Sequence, residues 1–490
     1  MTSTSEKQVG RSVARKEDER LVLGQGAFSE DIEPPGTVWV HFVRSPHAHA
    51  RIKGIDMSTT LEDPRVLRVI TGKEIHPRYH PLPAVPLSAY EADPAPFYLM
   101  AVDKARYSGE VVAIVVATDR YAARDAAETV VVDYEVLPVA NEVEDAIRPG
   151  APRVHEDREN GALVWRKSTP NVHQAFEEAE IILRDHFVNQ RIHAVPMEPR
   201  AGIAYWDKVE RKLTVWSSIQ SPHDLRDQLA ESLNLPPESV RSIAPDVGGG
   251  FGAKHSGEVE YILIAAASLE VGVPVKWVGT RTEEFVALSH ARGKASDIEL
   301  AATRDGVITG IRLRHVGDLG AYPKGGTPSI FITSAMIALG AYAIPEVDLD
   351  VQGVYTNKTP EGAYRGYGRP EGIHLIEREI DRLADTLGLD PAEVRRRNFI
   401  QPDAFPYVTA AGEILDSGEY EKGLDRALEI SDYPELRSEQ NRLREEGRYM
   451  GIGLSSWIKT GGFGPSSLSI DIEAVKRGSE NSGSAIAHGQ

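Results

Sequence analysis

Residues 107–138 read YSGEVVAIVVATDRYAARDAAETVVVDYEVLP, and this stretch sets the fold class. Glu110–Ala117 is an unbroken apolar run of strand length, the pattern of a strand buried on both faces. Asp119 is placed to N-cap an alanine-rich helix over Asp119–Glu128. A second strand, Thr129–Val136, follows, and Leu137-Pro138 stops it. Strand, helix and strand in succession predict a mixed α/β module. Upstream, Val38–Val43 (VWVHFV) is another β-rich run, so residues 21–140 form one α/β domain behind a polar arm, 1–20.

Working outward, residues 141–175 carry Pro149, Gly150, Pro152 and Pro170 among mixed charges and are expected to be a linker. A larger domain follows over 176–405. Ser221-Pro222 opens a helix with Leu225, Leu229 and Leu233 on one face, proline taking the first helical position. An apolar helix is expected from Gly257 to Val271, ended by Gly272, and Val275–Val278 (VKWV) is the next strand. Ile373, Ile376, Ile380, Leu383 and Leu387 mark an amphipathic helix closed by Gly388. Asp390-Pro391-Ala392-Glu393 then has capping-box form. The last segment, 406–490, opens as helix and turns rich in glycine and serine.

The chain has 490 residues, 73 acidic against 55 basic, and a formal charge of −18. About 150 residues per domain gives roughly three domains. The acidic balance argues against a nucleic-acid or anionic-membrane surface, which needs clustered Lys and Arg. No apolar run approaches the ~20 residues of a membrane span. The opening MTSTSEKQVGR lacks the apolar core of a secretory signal, so the cytoplasm is the expected location. There is no cysteine, which excludes disulfides, thiolate nucleophiles and conventionally held iron–sulfur clusters in this chain.

Four motifs are candidates for chemistry. Val247-Gly-Gly-Gly-Phe-Gly-Ala253 could bring backbone N–H groups close to a phosphate, a pterin or a metal-bound oxygen. It also fits G-x-G-x-x-A, so a dinucleotide site is an alternative. Against that, Pro245 and Asp246 interrupt the preceding strand, and Gly279-Thr280-Arg281 lacks an acidic ribose ligand; a plain turn is the bland reading. Gly362-Ala-Tyr-Arg-Gly-Tyr-Gly-Arg-Pro-Glu371 places two arginines in a glycine-rich loop before a helix, suited to an anion or oxo group or, more simply, to a solvated surface. His47-Ala-His49 could share a strand face around a metal, but no shell completes it, so packing is the better reading. Pro196-Met-Glu-Pro-Arg200 is read as a structural ion pair.

Several segments in order resemble the molybdenum-binding large subunit of the xanthine dehydrogenase/aldehyde oxidase/carbon monoxide dehydrogenase family. They are VGRSVARKEDERLVLGQGAFSEDI, SPHAHARI, residues 107–138, PMEPRAGIA, SSIQSPHDLRDQL, DVGGGFGAKH, DLGAY, VYTNKTPEGAYRGYGRPEG and LGLDPAEVRRRNFI. The resemblance implies an α+β fold: an α/β hammerhead domain over 21–140, a first molybdopterin-binding domain over 176–405, and the beginning of a second. It implies hydroxylation of an aldehyde or N-heterocycle carbon with oxygen from water, electrons leaving to iron–sulfur and FAD subunits. The cofactor is then molybdenum–molybdopterin in its cytosine dinucleotide form, with no cluster or flavin in this chain. Gln220 resembles the glutamine beside a molybdenum oxo ligand. Gly250, Phe251 and Gly252 would bring amides to the same centre, and Ala363 and Arg365 would line it. Gln220, Phe251 and Arg365 are thus the molybdenum environment, and His255 and Tyr367 take substrate positions.

Departures sharpen these expectations. His255 stands where purine-oxidising members carry a glutamate, and Phe331–Met336 (FITSAM) lacks their substrate arginine, which argues against purines. Copper-dependent members hold copper on a cysteine in the loop equivalent to Tyr364–Arg369, where this chain has Gly366. Ala487-His-Gly-Gln490 resembles the opening of the family's His-Gly-Gln-Gly cofactor loop, with Gln490 a cofactor contact. The family's catalytic glutamate falls beyond it, and Glu198, Glu258 and Glu371 do not match its position. The expectation is a C-terminally truncated catalytic subunit, inactive alone. It is either half of a split enzyme completed by a separate C-terminal chain or a non-catalytic remnant that holds cofactor. A nicotinamide dehydrogenase using Gly248–Ala253 is the remaining alternative.

Overall fold

The computed structural model describes residues 10–83, 91–92, 94–255 and 258–459. Gln490, and the apolar positions Ile470, Ile472 and Val475, lie outside them. The fold is mixed α/β. The fully buried run Val111–Ala117 is the second-last strand of a seven-stranded sheet. The order is Val240–Ile243, Lys212–Ser217, Ala201–Asp207, Val275–Val278, Val38–Arg44, Val111–Ala117, Val66–Thr71. Val38 pairs in parallel with Val275, so strands from the first 120 residues and from 201–278 share one sheet. The helix Val259–Val271 lies on it against Ala201–Asp207. It is apolar all round, as a core helix must be, and is ended by Gly272 at φ 75°. Gly202 permits the approach: a Cβ there would stand 2.8 Å from Ile264 Cδ1.

A second sheet runs Glu91–Ala92, Gly161–Ser168, Glu346–Tyr355, Ile308–Gly320, Lys294–Ala302, Ile181–Asn189. Helices Thr327–Ile337 and Arg369–Leu387 pack on each other beside it. The two sheets present their connecting loops to a shared region around residues 196–200, 248–255 and 362–368.

The local signals at helix ends hold. Asp119 accepts from Tyr121 N and Ala122 N and caps Arg120–Glu128. Pro222 starts Pro222–Ser232, and Gly388 closes Arg369–Leu387 at φ 65°. At Asp390 only half of the expected device forms: its carboxylate accepts from Ala392 N, while Glu393 turns to Arg397. The strand–helix–strand unit also differs from expectation. Val131–Val136 does not return beside Val111–Ala117 but pairs with Ala50–Asp56 in a three-stranded sheet. Its half-exposed pattern explains this, since a strand open to solvent on one face has no place in the buried sheet. Residues 141–175, expected as a linker, hold the helix Val143–Ala146, the strand Gly161–Ser168 and the helix Val172–Glu177. The expected arm contributes Arg20, bidentate on Asp246 at 2.5 and 2.6 Å. No helix among the described residues is long and apolar enough to cross a membrane.

One buried acid gives the fold a pH dependence. Glu379, on Arg369–Leu387, is fully buried, and neither carboxylate oxygen has a hydrogen-bond partner among the described residues. Arg382 Nη1 stands 3.7 Å away and is also held by Asp185. Burial pushes Glu379 up from 4.5 to about 7, with Arg378 opposing. The folded chain therefore binds the extra proton between these values, so stability present near pH 5 is lost as pH rises through 7. Glu379→Gln is expected to match the parent in urea unfolding at pH 5 and to exceed it at pH 8 by on the order of 2 kcal/mol. Parallel pH dependences would contradict this.

Candidate functional site

The site is built on Gly248–Lys254. This loop follows an edge strand and folds back so tightly that side chains are excluded from its inner face. A Cβ on Gly250 would stand 2.3 Å from Gln220 Oε1, and one on Gly252 would stand 3.0 Å from Ala363 O. Gln220 is locked in place at both ends. Its backbone N–H donates to Lys254 O at 2.8 Å, and its side-chain Oε1 accepts from Gly252 N at 2.8 Å. That leaves Gln220 Nε2 exposed as a donor. The amides of Gly249, Gly250 and Phe251 have no hydrogen-bond partner among the described residues.

A buried ion pair closes the loop. Lys254 Nζ donates to Glu198 O at 2.8 Å and Glu198 Oε2 at 3.0 Å. Gly248 N donates to the same Oε2 at 2.7 Å, and Glu198 N donates back to Gly248 O. Burial pushes the Lys254 ammonium below the ordinary lysine range, and Glu198 opposes that. Two residues on, Arg200 is fully buried and donates to Glu284 and Glu260, both at 2.9 Å, with Glu258 at 3.6 Å. Glu198 and Arg200, expected to pair with each other, thus each pair elsewhere. Together they staple residues 196–200 to the glycine loop and to the head of the core helix.

The second loop, Gly362–Gly368, meets the first at Ala363. Tyr367 is fixed by its hydroxyl, which lies 2.6 Å from Ser329 Oγ and donates to Gly326 O at 2.9 Å. The Arg365 side chain is exposed. Gln220, Gly250, Gly252 and Ala363 are therefore in direct contact, while Phe251, 44% exposed, projects from the same turn. His255 is exposed, and its amide donates to Gly252 O at 3.0 Å. Four non-glycine residues here have left-handed backbones: Val195 at φ 46°, Phe251 at 52°, Arg292 at 76° and Tyr367 at 53°. Such strain, about 1–3 kcal/mol each, gathers at functional sites.

Two alternatives lose their footing. The N-cap of Val259–Val271 is Glu258, a buried carboxylate held by Lys324, Ser289 and Arg200. A dinucleotide pyrophosphate at that helix end would meet a fixed negative charge. His47 and His49 lie in a bend rather than on a strand. His49 Nδ1 is 2.7 Å from Pro138 O, and His47 packs on Tyr134. No group of three or more His, Asp or Glu among the described residues could hold a metal ion.

Sequence reading missed the buried cations Lys254 and Lys294 and the partner Arg292. A signal exists: charged residues set inside otherwise apolar elements, such as Glu258 and Glu260 at the head of an apolar helix, must be paired when buried.

Comparison with known proteins then bears on the site. Residues 23–138 match the aldehyde oxidase and xanthine dehydrogenase a/b hammerhead domain, and residues 154–399 match the molybdopterin cofactor-binding domain. The chain is 38% identical to the carbon monoxide dehydrogenase large chain of Afipia carboxidovorans, over 94% of this chain and 60% of that one. It thus spans about three fifths of that relative's length. It is 30% identical to the nicotinate dehydrogenase large molybdopterin subunit of Eubacterium barkeri, over 88% of this chain and 98% of that one. The structure of quinoline 2-oxidoreductase from Pseudomonas putida 86 superposes with a TM-score of 0.85 at 32% identity, covering 90% of this chain and 56% of that one.

The clamp makes a stability prediction. Glu198→Ala strands the buried Lys254 ammonium and is expected to cost about 3 kcal/mol in urea unfolding. Glu198→Leu with Lys254→Met removes both charges and should recover most of that loss. Equal losses in the single and double variants would show that the pair is not the clamp.

Proposed function

The chain belongs to the aldehyde oxidase and xanthine dehydrogenase family of molybdopterin-binding proteins, and from that premise we propose that it is the molybdenum-binding part of a hydroxylase large subunit, oxidising an aldehyde or N-heterocycle carbon. The observation that carries this reading is the array of Gln220 Nε2 and three adjacent unpartnered amides on a loop no side chain can fill. These residues fit the group: neutral, preorganised donors suit oxygen atoms bearing negative charge. When bound, molybdopterin supplies two-electron oxidation with oxygen from water.

This chain's residues then do the following. Gln220 through Nε2, and Gly250 and Phe251 through their amides, donate to the cofactor's oxygen atoms; Gly252, its own amide held by Gln220 Oε1, keeps the loop's inner face clear, and Ala363 limits how close the cofactor sits. Arg365, exposed and without an ion-pair partner among the described residues, offers its guanidinium to the same group. Phe251, His255 and Tyr367 border the substrate side. The pterin form is the cytosine dinucleotide, and Gln490 is a further cofactor contact. Without cysteine, electrons leave through an iron–sulfur subunit and an FAD subunit in the cytoplasm.

The general base is not among the flanking carboxylates. Glu198 is held by Lys254, Glu258 by Lys324 and Arg200, and Glu371 by Lys294 and Arg292. Each is committed to a cation and cannot reach a reacting centre as a free acceptor. None of these three is the base, and the split-enzyme reading assigns it to a separate chain that completes the second cofactor domain.

Three outcomes test the proposal. Residues 1–490 purified from a molybdopterin-making host should give no dye-linked aldehyde oxidation, and activity should appear on co-expression with a completing chain; turnover by the isolated chain with molybdenum bound would contradict the assignment of the base. In the completed enzyme Arg365→Lys should lower turnover at least about tenfold, because lysine cannot reproduce a planar fork of donors; unchanged kinetics would return Arg365 to the surface. Elemental analysis should find no stoichiometric copper, since the loop offers Gly366 and no soft ligand. Copper with carbon monoxide oxidation would refute this.

A further inference from the structure

The loop that carries Arg365 is held from behind by a line of alternating charges. Glu361 Oε1 accepts from Lys294 Nζ at 3.1 Å, and the same ammonium donates to Glu371 Oε1 at 2.7 Å. Glu371 Oε2 accepts from Arg292 Nη1 at 2.7 Å, and Arg292 Nη2 donates to Arg365 O at 2.6 Å. Lys294, Glu361 and Glu371 are buried, while the Arg292 side chain is 13% exposed and emerges at the loop. The guanidinium also lies 5.0 Å from the Tyr364 ring centroid.

The charges along this line are settled by their neighbours. Burial pushes Glu371 up, but Lys294 and Arg292 together outweigh it and hold it at about 2. Burial raises Glu361 to about 7 despite Lys294 and Arg191, with Asp318 and Glu371 adding to the rise. Glu371 is thus the fixed anion on which both cations rest. Arg292 pays for its place with a left-handed backbone, φ 76°, a conformation that two charge-assisted hydrogen bonds can offset.

The loop has other anchors as well. Gly362 N donates to His290 O at 2.8 Å at one end, and Tyr367 is pinned to Gly326 and Ser329 at the other. Between them the Arg365 carbonyl is held by Arg292, and the Gly366 carbonyl accepts from Arg369 N and Nη1 at the head of the following helix, at 3.2 and 3.3 Å; Arg292 is thus the tether that reaches the loop from another part of the chain. The Ala363 carbonyl in turn rests against Gly252, with no side chain between. A shift of the second loop therefore passes directly to the amide array of the first.

We propose that Arg292, seated by Glu371 and Lys294, is a positioning residue that fixes the backbone of Ala363–Tyr367 over the Gly248–Lys254 loop. The functional reading above is needed only for the claim that this loop lines a molybdopterin site; the tether itself does not depend on it.

Limited trypsin digestion of the full chain tests the tether without cofactor. Cleavage at Arg365–Gly366 is mapped by mass spectrometry, with the exposed turns at Arg211 and Arg304 as controls. In Arg292→Gln, cleavage after Arg365 should accelerate at least about tenfold while the control sites keep their parent rates, because local opening sets the rate there. Arg292→Lys retains a charge for Glu371 but cannot span both acceptors, and its rate should fall between the two. Parent-like protection of Arg365 in these variants would overturn the proposal, and so would acceleration shared by the control sites. If Arg292→Gln does not fold, Arg292→Lys decides by the same criteria. Absence of molybdenum from the parent protein would remove the functional reading and leave this result standing.

Discussion

Lys254 is buried, and a buried ammonium is tolerated only where its charge and all its protons are answered. Glu198 answers it, and the answer dictates the site. The carboxylate that holds Lys254 also accepts from Gly248 N, so both ends of the glycine loop are tied to one side chain. With its ends fixed, the loop keeps three consecutive amides, those of Gly249, Gly250 and Phe251, without a partner among the described residues. Arg200, two residues beyond Glu198, repeats the device against Glu260 and Glu284 and roots the segment in the core helix. The donor array is open because the charges beneath it are closed.

The same logic governs the second loop. Lys294 opens a strand whose other residues are mostly apolar, and its two carboxylates place one anion beneath the arginine loop. Both loops thus stand on buried ion pairs rather than on hydrophobic contact alone. Buried pairs seldom add much net stability over apolar replacements, but losing one partner is costly, which makes them good at enforcing a single geometry. The left-handed backbones at Phe251, Arg292 and Tyr367 are sustained by that rigidity.

What could be read from the sequence follows what is local. The buried strand Val111–Ala117, the Asp119 cap, the Pro222 start and the Gly272 and Gly388 stops all depend on neighbours within a few residues, and each forms as expected. Sheet membership does not: Val131–Val136 joins Ala50–Asp56 because of what covers its faces, which periodicity alone does not specify. The expected linker contributes a strand for the same reason. In the site, the glycine loop and Gln220 could be picked out because motif order across the chain points to them, whereas Gln220 touching Gly250 and Gly252 is a matter of tertiary geometry. The charged partners of Glu198 and Arg200 lie 56 to 84 positions away, beyond any local pattern.

The central claim is that the Lys254–Glu198 clamp holds a preformed molybdopterin-binding loop. Molybdenum content is its most direct measure, compared between the parent chain and Lys254→Met after purification from a molybdopterin-synthesising host with the electron-accepting subunits present. The account predicts about one molybdenum per chain in the parent and a large loss in a Lys254→Met variant that circular dichroism shows to be folded. A parent without molybdenum, or a Lys254→Met variant that loads as fully as the parent, would contradict it.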